Sequence, residues 1–396
     1  MSKPLTIVHV VRGPIGGIYR HINDLARAQT QAGHRVGVIC DSTSGGPLEN
    51  AGVDRLNEDL HWGAVRIFMR RSISPADLPA LVAVDRRIRK IAPDVIHSHG
   101  AKGGVFGRLA GAWERRRGKD VATFYAPHGG SLHYDVASRS GRLYFAVERA
   151  LERVTDGLIH VSDYEARTYR AKVGVPRCPA YVVRNGISPE EFVAPAREPN
   201  PADLLYVGIL RDLKGFDVLL AALAAMKGRG LAPTLLAVGY GEDADTTRYR
   251  AFIHEHGLAD QVRFSSPMPA REAFGKAKLM VVPSRAESMP YIVLEAAAAG
   301  IPLVATDVGG IPEILQGRHE RLVPAADADA LAGAIQAALG NLGRSVAEAV
   351  LRKEQIRERF SLSVMADGVE AIYRHALEKR YRAAESTTLA SVEASH

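Results

Sequence analysis

Two carboxylates, Glu287 and Glu295, flank seven residues in the stretch PSRAESMPYIVLEAAAAGIPLVATDVGGIPEIL, residues 283–315. The chain between them turns apolar at Tyr291, Ile292, Val293 and Leu294. A helix starting near Pro290 would hold that proline at its first position, where the missing N–H costs nothing. Glu287 then sits on the loop before the helix and Glu295 in its second turn. At about 1.5 Å of rise per residue both can face one cleft beside a helix N-terminus, a place where phosphates bind. The plainer reading is a solvated loop carboxylate and a helix-surface glutamate.

A second chemical pair, Arg211 and Lys214, lies in YVGILRDLKGFDVLL, residues 206–220. A guanidinium fork grips a phosphate bidentately, while an ammonium acts as a point charge. Together they can neutralise charge growing on a phosphorylated leaving group. The alternative is a surface pair that caps the next helix.

The first half carries histidines and glycines. In VRGPIGGIYRH (11–21), Gly16 and Gly17 let backbone approach a ligand just ahead of a helix. The spacing is not G-x-G-x-x-G, and the nearest acidic residue to the following strand end is Asp41, a poor match to dinucleotide binding. In DVIHSHG (94–100), His97 and His99 form a His-x-His pair, but alternate strand residues without a nearby third ligand argue against zinc. His97 reads as inward and structural, His99 as cleft-lining. His128 stands at the end of an apolar run in YAPHGGSLHYD (125–135), where a lone histidine is more often structural. Gly239 belongs to a turn, VGYGED, and Asp243-x-Asp245 and Asp327-x-Asp329 are short patterns that arise by chance.

Elements of the right kind surround these residues. Strand-length apolar runs alternate with helical patterns throughout, the signature of parallel α/β sheets. Seven runs, at 5–11, 35–40, 65–69, 94–99, 121–128, 157–162 and 180–185, make a first unit. Five more, at 204–210, 234–240, 262–266, 279–284 and 301–306, make a second. VAPAREPNPAD (193–203) has linker composition. The expected division is therefore 1–193, a linker at 194–203, and 204–362. A last helix over 363–380 should cross back to the first domain, ahead of a disordered tail at 381–396. Doubly wound sheets bind ligands at the carboxyl ends of their strands, so two facing units would frame a cleft.

The bulk numbers set limits. A chain of 396 residues with 46% hydrophobic and 24% charged residues has core enough for two globular domains. Two cysteines argue for a reducing compartment. No run of about 18 apolar residues spans a membrane, and the opening MSKPLTIVHVV lacks a signal-peptide h-region, so the expected location is cytoplasmic. Residues 1–193 hold 28 Lys and Arg against 19 Asp and Glu, so the excess charge sits in the first half. No nucleic-acid motif accompanies it. It is either a solvated face or a surface for peripheral contact with an anionic membrane, where each basic residue is worth about 1 kcal/mol.

The carboxylate stretch resembles the C-terminal signature of the retaining family 4 glycosyltransferases of the GT-B fold. Pro283, Ser284, Glu287, Glu295, Gly300, Pro302, Thr306, Gly309, Gly310 and Glu313 fall in register with it. Gly208, Arg211, Lys214 and Gly215 fit the family's "G-R-L-x-x-x-K-G", and Gly16, Gly17 and His21 its "G-G-x-x-x-H". The resemblance implies two facing Rossmann-like domains and sugar transfer from a nucleotide-sugar, most often a UDP-sugar. It implies Glu287 and His128 on the donor sugar, Glu295 on the ribose, and Arg211 and Lys214 on the diphosphate. Gly16, Gly17, Gly208 and Gly239 would line the donor site, with no metal or other cofactor. His99, His133 and Tyr134 would line the acceptor pocket. The acceptor expected is a glycan or polyprenyl-diphosphate-linked oligosaccharide, in polysaccharide biosynthesis. One departure stands out: where the family has glycines after the first glutamate, this chain has Ser288, Met289 and Pro290, and Pro290 has no N–H to offer. A nucleotide-sugar 2-epimerase or a non-catalytic nucleotide-sugar-binding module would share the same fold.

Overall fold

The computed structural model describes residues 3–315 and 322–393. Its apolar runs form two all-parallel sheets. The first contains β1 (Thr6–Val11), β2 (Arg35–Asp41), β3 (Ala64–Ile67), β4 (Val95–His99), β5 (Ala122–Ala126), β6 (Gly157–His160) and β7 (Ala180–Val182), in the order β3-β2-β1-β4-β5-β6-β7. The second contains β8 (Ala202–Val207), β9 (Leu235–Val238), β10 (Val262–Ser265), β11 (Ala277–Val282), β12 (Leu303–Thr306) and β13 (Leu322–Val323), in the order β10-β9-β8-β11-β12-β13. Helices connect the strands, and the central strands are buried along nearly their whole length. That explains why they read as continuous apolar runs instead of alternating ones.

In both sheets the strand order reverses near the centre, between β1 and β4 in one and between β8 and β11 in the other. At such a switch point the following loops diverge and leave a crevice at the strand carboxyl ends.

The chain divides into two compact units: residues up to Gly186 together with those from Leu362 onward, and Ile187–Ser361. The structure thus draws the boundary earlier than the proline-rich segment. Residues 187–201 run along the second unit, where Phe192 is buried and Glu198 N–H donates to Gly275 O at 2.9 Å. Pro195, Pro199 and Pro201 lack an N–H, yet Glu198 between them finds partners in Gly275 and Lys276, so linker composition here does not make a free linker.

The last helix, Leu362–Glu393, belongs to the first unit. Met365, Val369, Ile372, Tyr373 and Ala376 pack with Leu5, Ile7, Leu25, Val95, Phe124 and Ile159 beneath the sheet. The segment expected as a disordered tail continues this helix to Glu393, and residues 394–396 lie outside the described part.

Candidate functional site

In the second unit, the residues singled out by type converge at the switch point. Lys214 follows β8 and Glu287 follows β11, two adjacent strands. Their side chains meet, with Lys214 Nζ 2.6 Å from Glu287 Oε1. Ser284 Oγ donates to the same oxygen at 2.7 Å. Both partners are mostly but not fully buried, and pairs at that depth contribute on the order of 1 kcal/mol. The value of the pair is geometric: a cation and a carboxylate are held side by side at the mouth of the sheet.

The surrounding backbone explains how they are held. Gly215 has φ 65°, and a Cβ there would lie 1.9 Å from Pro283 O, so only glycine lets the Lys214 turn reach the end of β11. Gly309 has φ 62°, and a Cβ there would lie 1.9 Å from Glu287 O. Arg285 ties the two loops together. It forks onto Asp217 at 2.7 and 2.6 Å, donates to Asp212 O at 2.6 Å, and its N–H donates to Leu213 O at 2.9 Å. Arg211 opens the same turn and is exposed.

Glu295 lies in the second turn of the helix Tyr291–Ala298 and is nearly buried. Pro290 takes the cap position just before that helix rather than its first residue. Ser288 is half-buried and Met289 is buried at 4% exposure. Gly208 follows β8, while Gly239 follows β9 and donates its N–H to Ser265 O at 3.2 Å. The Asp-x-Asp patterns have structural roles. Asp327 caps the helix Ala328–Gly340, Asp329 pairs with Arg229, and Asp245 pairs with Arg248.

In the first unit, the switch point gathers five histidines. His9 on β1 lies beside His97 on β4. His97 and His99 are two apart on one strand, so they share a face. His9 Nδ1 is 2.9 Å from His99 Nε2, and His99 Nδ1 is 3.0 Å from His128 Nε2. His9 Nε2 meets Gln29 Oε1 at 2.8 Å, His21 Nδ1 meets Asn185 Oδ1 at 3.0 Å, and His97 Nδ1 meets Tyr373 Oη at 2.6 Å. Burial pushes His9 and His21 down to about 4. Burial, with neighbouring imidazoles adding repulsion, holds His97, His99 and His128 well below the ordinary histidine value. At neutral pH the cluster is uncharged.

His99 is therefore a correction: it is fully buried between His9 and His128, not lining a cleft. His128 is the member that reaches partial exposure. It has φ 51°, a left-handed conformation unusual for a side-chain-bearing residue. The next N–H, of Gly129, donates to buried Glu165 Oε1 at 2.5 Å, and Glu165 Oε2 accepts from Val161 N–H at 3.1 Å, so Glu165, in the first turn of the helix Asp163–Lys172 after β6, holds this turn. His133 and Tyr134 lie exposed on and after the short turn Ser131–His133, with Tyr134 stacked on Tyr144. Gly16 and Gly17 are exposed at the start of the helix Gly16–Gln31.

The third imidazole missing from the metal argument is present after all. His9, His97 and His99 bring ligand atoms within 4.8 Å of one another, as do His21, His99 and His128. Hydrogen bonds already engage His9 with His99 and His99 with His128. Sequence reasoning missed His9, Gln29, Tyr373, Glu165 and Arg285. The available signal for His9 was a histidine in the middle of the apolar run LTIVHVV.

Comparison with known proteins agrees with this geometry. Residues 15–191 match the family model "Glycosyltransferase Family 4", and residues 201–341 match "Glycosyl transferases group 1". The chain is 32% identical over 327 residues to a D-inositol 3-phosphate glycosyltransferase of Acidothermus cellulolyticus, covering 75% of this chain and 70% of that one. It is 27% identical over 383 residues to a glycogen synthase of Mycobacterium tuberculosis, covering 91% of each. Among solved structures, the sucrose-phosphate synthase of Thermosynechococcus elongatus superposes with TM-score 0.77 at 21% identity, over 95% of this chain and 100% of that one. Anabaena HepE in complex with UDP-glucose superposes with TM-score 0.76 at 19% identity, over 93% and 98%. These neighbours share the GT-B fold of two Rossmann-like parallel-sheet domains. With both halves of the chain matched by its models, the protein belongs to glycosyltransferase family 4.

Proposed function

We propose that the protein transfers a sugar from a UDP-sugar to a glycan or polyprenyl-diphosphate-linked acceptor, with retention at the anomeric carbon and without a metal. The observation that carries this reading is the Lys214–Glu287 contact at 2.6 Å at the switch point of the second sheet. It sets a cation beside a carboxylate, which supports reading Lys214 as the partner of a leaving diphosphate and Glu287 as the partner of sugar hydroxyls. Arg211 adds the guanidinium fork, and Glu295 takes the ribose. The transition state is oxocarbenium-like, as in other glycosyl transfers. In the sequence no side chain stands in register as an evident nucleophile, so in this reading the leaving phosphate steers a same-face displacement.

Nucleotide binding draws support from the HepE complexes with UDP and UDP-glucose. His128 contacts the sugar, and the exposed His133 and Tyr134 serve the acceptor. No helix among the described residues is long and apolar enough to cross a membrane. In this reading the reaction takes place in the cytoplasm, with the basic first unit against an anionic membrane face.

The test is slow donor hydrolysis measured across UDP-, GDP- and ADP-sugars. Lys214→Ala or Glu287→Ala is expected to lower turnover at least ~100-fold, the scale of losing one transition-state contact. Near-normal turnover in both variants would sink the assignment. Epimerised donor formed with no acceptor present would replace it with the epimerase.

A further inference from the structure

The histidine contacts in the first unit carry more information than their distances. A carbonyl oxygen only accepts, so the 2.8 Å contact with Gln29 Oε1 places the His9 proton on Nε2. His9 Nδ1 is then a bare lone pair and accepts from His99 Nε2–H at 2.9 Å. That leaves His99 Nδ1 bare, and it accepts from His128 Nε2–H at 3.0 Å. His128 ends the chain with an unprotonated Nδ1. A flanking ring obeys the same rule, His21 Nδ1–H donating to Asn185 Oδ1, while the Tyr373 hydroxyl, which can donate or accept, meets His97 Nδ1.

We propose that Gln29, acting through His9 and His99, fixes the tautomer of His128, so that His128 presents Nδ1 as a hydrogen-bond acceptor and selects a donor sugar that offers a hydroxyl proton there. This rests on the assignment of His128 to the sugar. Gln29, His9 and His99 are positioning residues in it, since none touches substrate. A glutamine is suited to this role because its amide does not titrate. The structure sets the amide with its oxygen toward His9 Nε2, and its nitrogen finds no hydrogen-bond partner among the described residues. The opposite orientation would reverse every proton in the relay and make His128 Nδ1 a donor.

A relay fits these residues better than a metal centre. A metal would need lone pairs of His9, His97 and His99 together, or of His21, His99 and His128, and in each set two of the rings already point nitrogens at one another through N–H···N bonds. Neutral rings are also required for the tautomers to be single, and burial keeps them neutral at pH 7.

The experiment uses the full chain labelled with ¹⁵N in its histidine rings, read by long-range ¹H–¹⁵N correlation at pH 7.5. His128 should carry its proton on Nε2 alone. Gln29→Met, close in shape but with no acceptor carbonyl, should leave His99 and His128 as mixtures of both tautomers. It should lower turnover about fivefold to tenfold, the scale of one hydrogen bond. Gln29→Glu, which can only accept, should restore the single tautomer and most of the turnover. A UDP-sugar in which fluorine replaces the contacted hydroxyl should react poorly with the wild type, because fluorine cannot donate.

If Gln29→Met does not fold, His9→Phe breaks the relay one step later and gives the same readout at His128. A proton on His128 Nδ1, unchanged tautomers in both folded variants, or stoichiometric metal with no imidazole N–H signals would each overturn the proposal. The two readings fail separately. Intact turnover in Lys214→Ala removes the sugar-transfer assignment, whereas loss in Lys214→Ala with a silent Gln29→Met removes the relay alone.

Discussion

Lys214 and Glu287 hold each other at the ends of neighbouring strands, and the backbone leaves them little freedom. The carbonyl of Glu287 packs so closely on Gly309 that Gly309→Ala must move one loop or the other. The expected result is a destabilisation of about 1–3 kcal/mol, from strain at a positive φ plus the clash. Turnover should fall at least tenfold as Glu287 shifts, read by thermal unfolding and donor hydrolysis on the same sample. Wild-type values in both assays would refute this account of how Glu287 is placed. At this scale the sequence was partly legible. Glu287, Glu295, Arg211 and Lys214 stood out because their types and spacing fit one chemistry. His9 and Arg285 did not, because their partners, His99 and Asp217, lie 90 and 68 residues away along the chain. Nothing local marks such pairs. His99 was misplaced for a related reason: alternation on a strand shows which residues share a face, but not whether that face is covered by a helix.

The turn 211–215 gains its position from a neighbour, not from its own hydrogen bonds. The Arg285 guanidinium grips Asp212 O and the Asp217 carboxylate, and the Arg285 backbone N–H adds Leu213 O, so this one residue sets the distance between the two loops. Arg285→Ala should therefore lower turnover about tenfold, on the scale of a misplaced contact, although Arg285 is not assigned to substrate. Kinetics unchanged from wild type would show that Gly215 alone suffices. Strands were the most legible elements. Every expected run is a strand, usually trimmed at its carboxyl end, where the chain bends into a site loop. The two-residue β13 (Leu322–Val323) escaped notice because so short a run has no pattern to read. The helix after Glu287 was legible from its apolar opening, but Pro290 caps it instead of starting it.

For the molecule as a whole, five neutral imidazoles packed together make acid its natural denaturant. His9 and His21 titrate near 4 when folded, against 6.5 in an unfolded chain. Below about pH 6.5 the unfolded state takes up protons that the folded state refuses, so stability falls as pH drops toward 4. By pH 5 each of these two histidines removes roughly 2 kcal/mol, and His97, His99 and His128 shift in the same direction. The urea midpoint should drop clearly between pH 7 and pH 5, and an unchanged midpoint would contradict the burial of the cluster.

The last helix matters as much. Cutting the chain after Ser361 strips Met365, Val369, Ile372, Tyr373 and Ala376 from the first sheet. At about 1.5–3 kcal/mol for each large side chain, the loss is on the order of 10 kcal/mol and rivals the whole stability of a domain. The truncated chain should aggregate or lose the first unit in a thermal scan while the second still melts. Two separate transitions at wild-type temperatures would refute this.

That helix also sets a timetable. Between Gly186 and Leu362 the ribosome must deliver 175 residues, all of the second unit, before the piece that covers the first sheet exists. At roughly 5–20 residues per second, the first unit waits about 10–35 s with Leu5, Ile7, Phe124 and Ile159 uncovered. The unit that starts first is finished last. Nascent chains arrested before residue 362 should show the second unit resistant to protease and the first still cleavable, with chaperones bound to the earlier half.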